Sequence, residues 1–158
     1  MKLDPIFTIK NNTLYKIDNN SPVDTSTLKQ IQIKWSTVEL AEESYNEEYL
    51  AQLRDELKAM EEAGTFALLV PLVDKPLENA EQVEAFINTY NHTARRVKDC
   101  ESLAGFVLPD EITAKGFDAG SPARDFMDTL AIKHAQYVYF VRASSAAKDA
   151  IPDSISLI

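Results

Sequence analysis

The sequence is poor in glycine and cysteine and has no long apolar run, and each shortage excludes a class of protein. Its four glycines form neither GxGxxG nor a P-loop, which argues against both common nucleotide sites. Cys100 is the single cysteine, so no intramolecular disulfide can form, and no cysteine–histidine spacing typical of a metal site is present. No apolar run approaches the length of a transmembrane helix. We therefore expect no cofactor, no metal and no membrane span.

Positive charge is also scarce. The 158 residues carry 16 Lys and Arg against 25 Asp and Glu, a formal net charge of -9. Nucleic acids and anionic membrane surfaces attract clustered Lys and Arg, so neither is an expected partner. The N-terminus shows no apolar signal segment, which leaves localisation open between the cytoplasm and a secreted protein that has been trimmed.

What remains is an alternation of strand-like and helix-like segments in a single domain, residues 1–158. A hairpin cap is predicted at residues 7–17, because apolar residues alternate around Asn11-Asn12, a pair that tolerates a tight turn. A polar tail is predicted at residues 144–158. The core between them, residues 31–141, reads β-α-β-α-β-α-β. Its predicted strands are Ile31–Trp35, Phe66–Val73, Leu103–Leu108 and Tyr137–Val141, and its predicted helices are Tyr45–Ala63, Asn79–Val97 and one that begins at Ser121-Pro122.

This order predicts an α/β fold with parallel strands and right-handed crossovers. Four strands are too few to close an eight-stranded barrel. Three architectures fit: a half barrel that stays open, a half barrel that pairs with a second copy, or a small doubly wound sheet. An open half barrel is expected to expose an apolar inner face, which favours self-association.

The strongest functional signal is the stretch Leu103–Ile112. An apolar run ends at Pro109 and is followed at once by Asp110 and Glu111. Open α/β sheets and barrels place their chemistry at the carboxyl ends of their strands. Other candidate side chains lie at or just past other predicted strand ends, and these are Trp35, Asp74 and Arg142.

These residues carry a family resemblance. The segment Tyr45-Asn46-Glu47-Glu48-Tyr49-Leu50, the run 66–73 and the segment from Gly105 to Glu111 resemble the middle of a clan A glycoside hydrolase of the cellulase and mannanase type. The resemblance implies a half TIM-barrel-like unit and ranks that fold first among the three. It puts Trp35 at a strand end that carries tryptophan. It puts Glu111 in the position of the general acid/base, with Asp110 replacing the usual asparagine.

The pattern departs from the family at several positions. The arginine usual before the tryptophan is absent, with Gln30 nearest its place, and the histidine usual near the end of the second strand is missing. The second catalytic glutamate of the family comes from a later strand than the four predicted here. Glycoside hydrolysis needs two carboxylates flanking one bond, so a partner for Glu111 would have to be Asp74 or Glu39.

Two functions therefore remain open. The first is a carbohydrate-binding domain or degenerate glycosidase, with Glu111 as acid/base and with Trp35, Asp110, Asp74 and Arg142 contacting an oligosaccharide. The second is a non-catalytic protein interaction domain on a half-barrel scaffold, with a homodimer among its candidate assemblies. Trp35 itself has two readings, as a stacking platform for a sugar or as core packing.

Overall fold

The structure, a computed structural model, describes residues 3–144 and 150–158. Residues 145–149 of the predicted tail, with Ser145 among them, lie outside the described residues. The strands are β1 Phe7–Lys10, β2 Thr13–Lys16, β3 Lys29–Lys34, β4 Glu39–Ala41, β5 Ser44–Tyr45, β6 Ala67–Leu72, β7 Leu103–Val107, β8 Val138–Val141 and β9 Ile155–Leu157. The helices are α1 Trp35–Val38, α2 Glu47–Ala63, α3 Ala80–Arg96, α4 Asp110–Thr113 and α5 Pro122–Ala131, and a 3₁₀ turn spans Thr25–Thr27.

One parallel sheet organises the domain. Its strands lie in the order β3-β6-β7-β8-β9, which is also their order in the chain, and every neighbouring pair is parallel. The predicted α/β fold with parallel strands and an N-terminal antiparallel hairpin is confirmed. Since all the strands run the same way, their carboxyl ends meet along one edge of the sheet.

The helix boundaries follow from local signals in the sequence. The Asn46 side chain accepts a hydrogen bond from the Tyr49 amide at the start of α2, and Asn79 forms a capping box with Gln82 at the start of α3. Gly64 ends α2 with φ +74°, a left-handed conformation that suits glycine.

The helices cover one face of the sheet, called here the helix face. Ile33, Leu69, Phe106 and Tyr139 belong to the larger hydrophobic core, together with buried residues of α2, α3 and α5. Gly105 lets two strands approach closely, since a Cβ there would lie 1.7 Å from the Val138 carbonyl oxygen.

The N-terminal hairpin covers the other face, called here the hairpin face. Phe7, Ile9 and Leu14 of the hairpin are buried in one cluster with residues of β6, β7 and β8, namely Leu68, Val70, Ala104, Val107 and Phe140. The hairpin face of β3 carries Gln30, Gln32 and Lys34, which are exposed. The expectation of an exposed apolar inner face is therefore wrong for the described residues. The hairpin packs on the apolar residues of β6, β7 and β8 and so covers the inner face of the sheet.

Two local predictions also need correction. The tail contributes a fifth strand, β9, whose entry is held by the Asn12 side chain donating to the carbonyls of Pro152 and Ile155, each at 2.7 Å. The first core strand ends at Lys34, so Trp35 begins the short helix α1. Asp110 and Glu111 lie past the end of β7, as predicted, and form the first turn of α4.

Candidate functional site

All five predicted site residues follow the carboxyl ends of strands in the parallel sheet. Trp35 follows β3, Asp74 follows β6, and Arg142 follows β8. Asp110 and Glu111 lie in α4, two and three positions beyond Leu108. The shared direction of the strands brings these positions to one edge of the sheet.

A cleft of about 210 Å³ opens at this edge, between the ends of β6, β7 and β8. Asp110, Glu111 and Arg142 contribute its charged lining, and the rest is formed by residues 70–73 and 107–109. Trp35 and Asp74 do not line it. Two acidic residues and one arginine thus lie among the lining residues, and the other seven are apolar.

Asp110 and Glu111 are both exposed. Neither forms a side-chain hydrogen bond or salt bridge with another of the described residues. They are neighbours in a helical turn, where successive side chains do not face each other. The two carboxylates therefore do not form a facing pair across one bond, and each remains available to a ligand hydroxyl.

Trp35 is 2% exposed and belongs to the core. Its ring packs edge to face against Phe86 at 5.2 Å, and its indole Nε1 donates to Glu39 Oε1 at 2.9 Å. Lys75 Nζ lies 5.3 Å from the centre of the same ring and 2.9 Å from Glu39 Oε1. As placed, Trp35 offers no ring face to a ligand.

The Glu39 carboxylate therefore already has hydrogen-bond and ion-pair partners. Its buried carboxylate accepts from Trp35 and Lys75, and Lys75 also donates to the Glu39 carbonyl at 3.0 Å. A buried carboxylate needs such partners because an unpaired charge there is costly. This arrangement holds α1 and the start of β4 against the end of β6.

Asp74 is also engaged. Its carboxylate accepts from the Ser36 amide at 2.9 Å and from the Ser36 hydroxyl. Partial burial pushes the pKa of Asp74 up, but the hydrogen bonds from Ser36 outweigh it, so the pKa lies below its ordinary value of 3.8. Asp74 is thus ionised at neutral pH and ties the end of β6 to the end of β3.

Sequence reasoning missed Lys75 and Ser36 as partners at this edge. Each lies within three residues of the end of a strand, and this position was the one sequence feature that pointed to them. The pairing of β3 with β6 brings Lys75 to Glu39 and Ser36 to Asp74, and this pairing could not be predicted from the sequence.

Within residues 3–144 and 150–158, no group of three or more His, Cys, Asp or Glu is arranged to hold a metal ion. In the same ranges, no helix has both the length and the apolar character required to cross a bilayer.

No protein-family model matches this sequence, and no curated protein matches it. Solved structures do match. They include Pseudomonas stutzeri endoglucanase Cel5A in complex with cellobiose, at TM-score 0.59 and 18% identity, covering 82% of this chain and 46% of that one. Endo-glycoceramidase II from Rhodococcus sp. in complex with ganglioside GM3 matches at TM-score 0.54 and 14% identity, covering 75% and 42%.

A third match is the GH5_18 protein of Bifidobacterium longum subsp. longum in complex with Manβ1-4GlcNAc. It has TM-score 0.51 and 14% identity, covering 72% of this chain and 34% of that one. The neighbours are GH5 structures, clan A TIM-barrel glycoside hydrolases, and this chain spans between a third and a half of the length of these three. At such low identity the likeness shows the fold alone. In its fold the chain resembles a fragment of a TIM-barrel glycoside hydrolase.

Proposed function

We propose that this domain binds a single sugar ring of a β-linked glycan in the cleft at the carboxyl edge of the sheet, and does not hydrolyse it. The observation that carries the proposal is the convergence of Asp110, Glu111 and Arg142 on one cleft at that edge. Sugar hydroxyls both donate and accept hydrogen bonds, so they suit a lining of two carboxylates and one guanidinium. The three solved neighbours hold glycans, which supports the same ligand class.

The size of the cleft supports a small ligand. Its volume of about 210 Å³ lies below the roughly 300–1,000 Å³ of drug-sized ligand sites. We infer that one ring enters the cleft and that the rest of a glycan extends into solvent. Affinity for such a shallow contact is expected to be weak. A Kd of about 1 mM corresponds to a binding free energy of about -4 kcal/mol.

We infer the absence of hydrolysis because no second carboxylate among the described residues is placed to act with Glu111. Cleavage needs an acid and a base or nucleophile roughly 5 to 9.5 Å apart on two sides of one bond. Asp110 does not face Glu111. Asp74 accepts hydrogen bonds from Ser36 and does not line the cleft, and Glu39 is buried and paired with Lys75. Among the described residues this leaves Glu111 without a free partner carboxylate.

The test is calorimetric titration with cellobiose, Manβ1-4GlcNAc and the GM3 oligosaccharide, with a parallel assay for released reducing sugar. Glu111→Gln and Arg142→Gln should each weaken binding at least fivefold, because each removes one charged hydrogen-bonding group. Glu62→Gln and Arg95→Gln are the matched controls, since both residues are exposed on α2 and α3 away from the cleft. Binding with no released sugar supports the proposal. Sugar release that disappears in Glu111→Gln contradicts the non-hydrolytic part, and absence of binding to all three glycans contradicts the whole.

A further inference from the structure

A second and larger depression lies in the helix layer, between the first half of α3 and α5. It encloses about 960 Å³ and is called here the α3–α5 groove. Its apolar lining includes Val83 and Ile87, one turn apart on α3, and Ile132, which follows α5. Ile132 is 74% exposed, the most exposed large apolar side chain in the described part of the chain.

The rim of the groove is acidic. Lys115 is the one basic residue among its described lining residues. Six carboxylates share the lining, and these are Glu78, Glu84, Glu111, Asp118, Asp125 and Asp128. None of the six forms a salt bridge with another described residue, whereas acids elsewhere, such as Glu47 and Asp99, are paired with cations.

We propose that the α3–α5 groove docks a basic amphipathic helix of a partner protein. An amphipathic helix buries its apolar face in a groove between two helices and anchors it with side chains at i, i+3, i+4 and i+7. Here Ile132 and the partly buried Leu77 and Val83 receive that face, whereas Ile87 is 5% exposed and belongs to the core. The unpaired carboxylates on α3 and α5 meet Lys or Arg side chains on its two flanks, and this charge complementarity selects the occupant.

The same features weigh against other occupants. The described lining contains no aromatic side chain, so the groove lacks the flat rings on which sugars stack. Its carboxylates are spread along the rim and do not form a group able to hold a metal ion. A second copy of this chain carries a net charge of -9, and two such copies repel each other.

The length of the groove determines the length of the peptide used to test it. From Ala80 to Asn88 the groove follows α3 for about 12 Å, or roughly two turns of a bound helix. Helices shorter than about 12–15 residues are marginal in water, so the probe is a labelled peptide of about 16 residues. It has Leu on one face at helical spacing and Lys elsewhere. A scrambled peptide of the same composition has the same charge without the apolar face.

The experiment measures fluorescence anisotropy of each peptide with the full chain. Ile132→Ser should weaken binding of the amphipathic peptide at least tenfold, while Leu40→Ser should leave it unchanged, because Leu40 is 61% exposed on β4 away from the groove. Glu84→Gln with Asp125→Asn should weaken it about fivefold at low salt and flatten its salt dependence. Glu42→Gln with Glu62→Gln is the control that removes the same charge elsewhere.

Three results would overturn the proposal. They are equal affinity for the scrambled peptide, equal losses in the groove and control variants, and an Ile132-dependent dimer of the protein alone in sedimentation. Arg142→Gln separates this proposal from the sugar site, since it should leave peptide binding intact whether or not the cleft binds a glycan. Loss of peptide binding in Arg142→Gln would also count against the groove.

Discussion

Leu14 is the residue at which to test whether the N-terminal hairpin stabilises the sheet. It lies in β2, is 1% exposed and packs in one cluster with Leu68, Val70 and Phe140 on the hairpin face of the sheet. Replacing it with alanine should therefore loosen the hairpin from the sheet. Ile17 is the matched control, because it follows the same strand but is 47% exposed.

The magnitude follows from the groups removed. Leu14→Ala deletes three carbon groups, which at about 0.8 kcal/mol each amounts to about 2.4 kcal/mol of lost burial. The cavity left behind adds to this, and buried Leu→Ala changes fall at about 2.7–5.0 kcal/mol. We expect about 3 kcal/mol, or a fall in Tm of about 6–12 °C for a chain of this size. Ile17→Ala also removes three carbon groups but should lower stability by only about 1.2 kcal/mol, since the side chain is already half exposed.

Urea unfolding followed by circular dichroism measures both changes, and binding of a hydrophobic dye reports whether the hairpin face becomes exposed. Leu14→Ala should bind more dye than wild type under native conditions. A loss below about 0.5 kcal/mol, or equal losses for Leu14→Ala and Ile17→Ala, would show that the hairpin does not close this face.

Three further predictions concern the sheet and its carboxyl edge. Gly105→Ala should destabilise the domain by about 1–3 kcal/mol or more in urea unfolding, because the added Cβ would lie 1.7 Å from a backbone oxygen of β8, and a neutral change would contradict that close approach. Lys75→Met should cost about 2–3 kcal/mol, because it leaves the buried Glu39 carboxylate without its cation, and Lys75→Met with Glu39→Gln should recover part of that loss. Asp74 has a folded pKa below its unfolded value, so its hydrogen bonds from Ser36 stabilise the fold at neutral pH and that contribution is lost as pH falls through the folded pKa. Asp74→Asn should thus be less stable than wild type at pH 7, and the two should converge below pH 3.8, whereas a constant gap down to pH 2 would contradict the linkage.

Much of the fold was predictable because the signals were local. Continuous apolar runs marked β6 and β7 as buried strands. Helical spacing marked α2 and α3, and Ser121-Pro122 marked the start of α5. Helix ends and buried strands depend on a few neighbouring residues, so they can be predicted without knowledge of tertiary contacts.

Other features depended on contacts that no local pattern reveals. β9 is three residues long in a polar segment, and its pairing with β8 is supported by Asn12, far away in sequence. The covering of the inner face depends on where the hairpin folds back. Alternation predicted the hairpin as a cap on the core, but it did not show that the hairpin packs on β6, β7 and β8.

The candidate site divides in the same way. The strand-end rule placed Asp110, Glu111 and Arg142 at one edge, and the cleft joins them. It could not show that Trp35 turns into the core, because that depends on Phe86 and Lys75 arriving from other elements. The roles of these residues toward a ligand stay predictions.

The most direct test of the sugar-binding cleft is an amide chemical-shift titration of the labelled full chain with cellobiose and Manβ1-4GlcNAc. The proposal predicts saturable shifts confined to residues 70–73, 107–111 and the amides beside Arg142, and their loss in Arg142→Gln with the spectrum otherwise preserved. Shifts that map elsewhere, or a spectrum unchanged by either sugar at tens of millimolar, well above a Kd of about 1 mM, would contradict it.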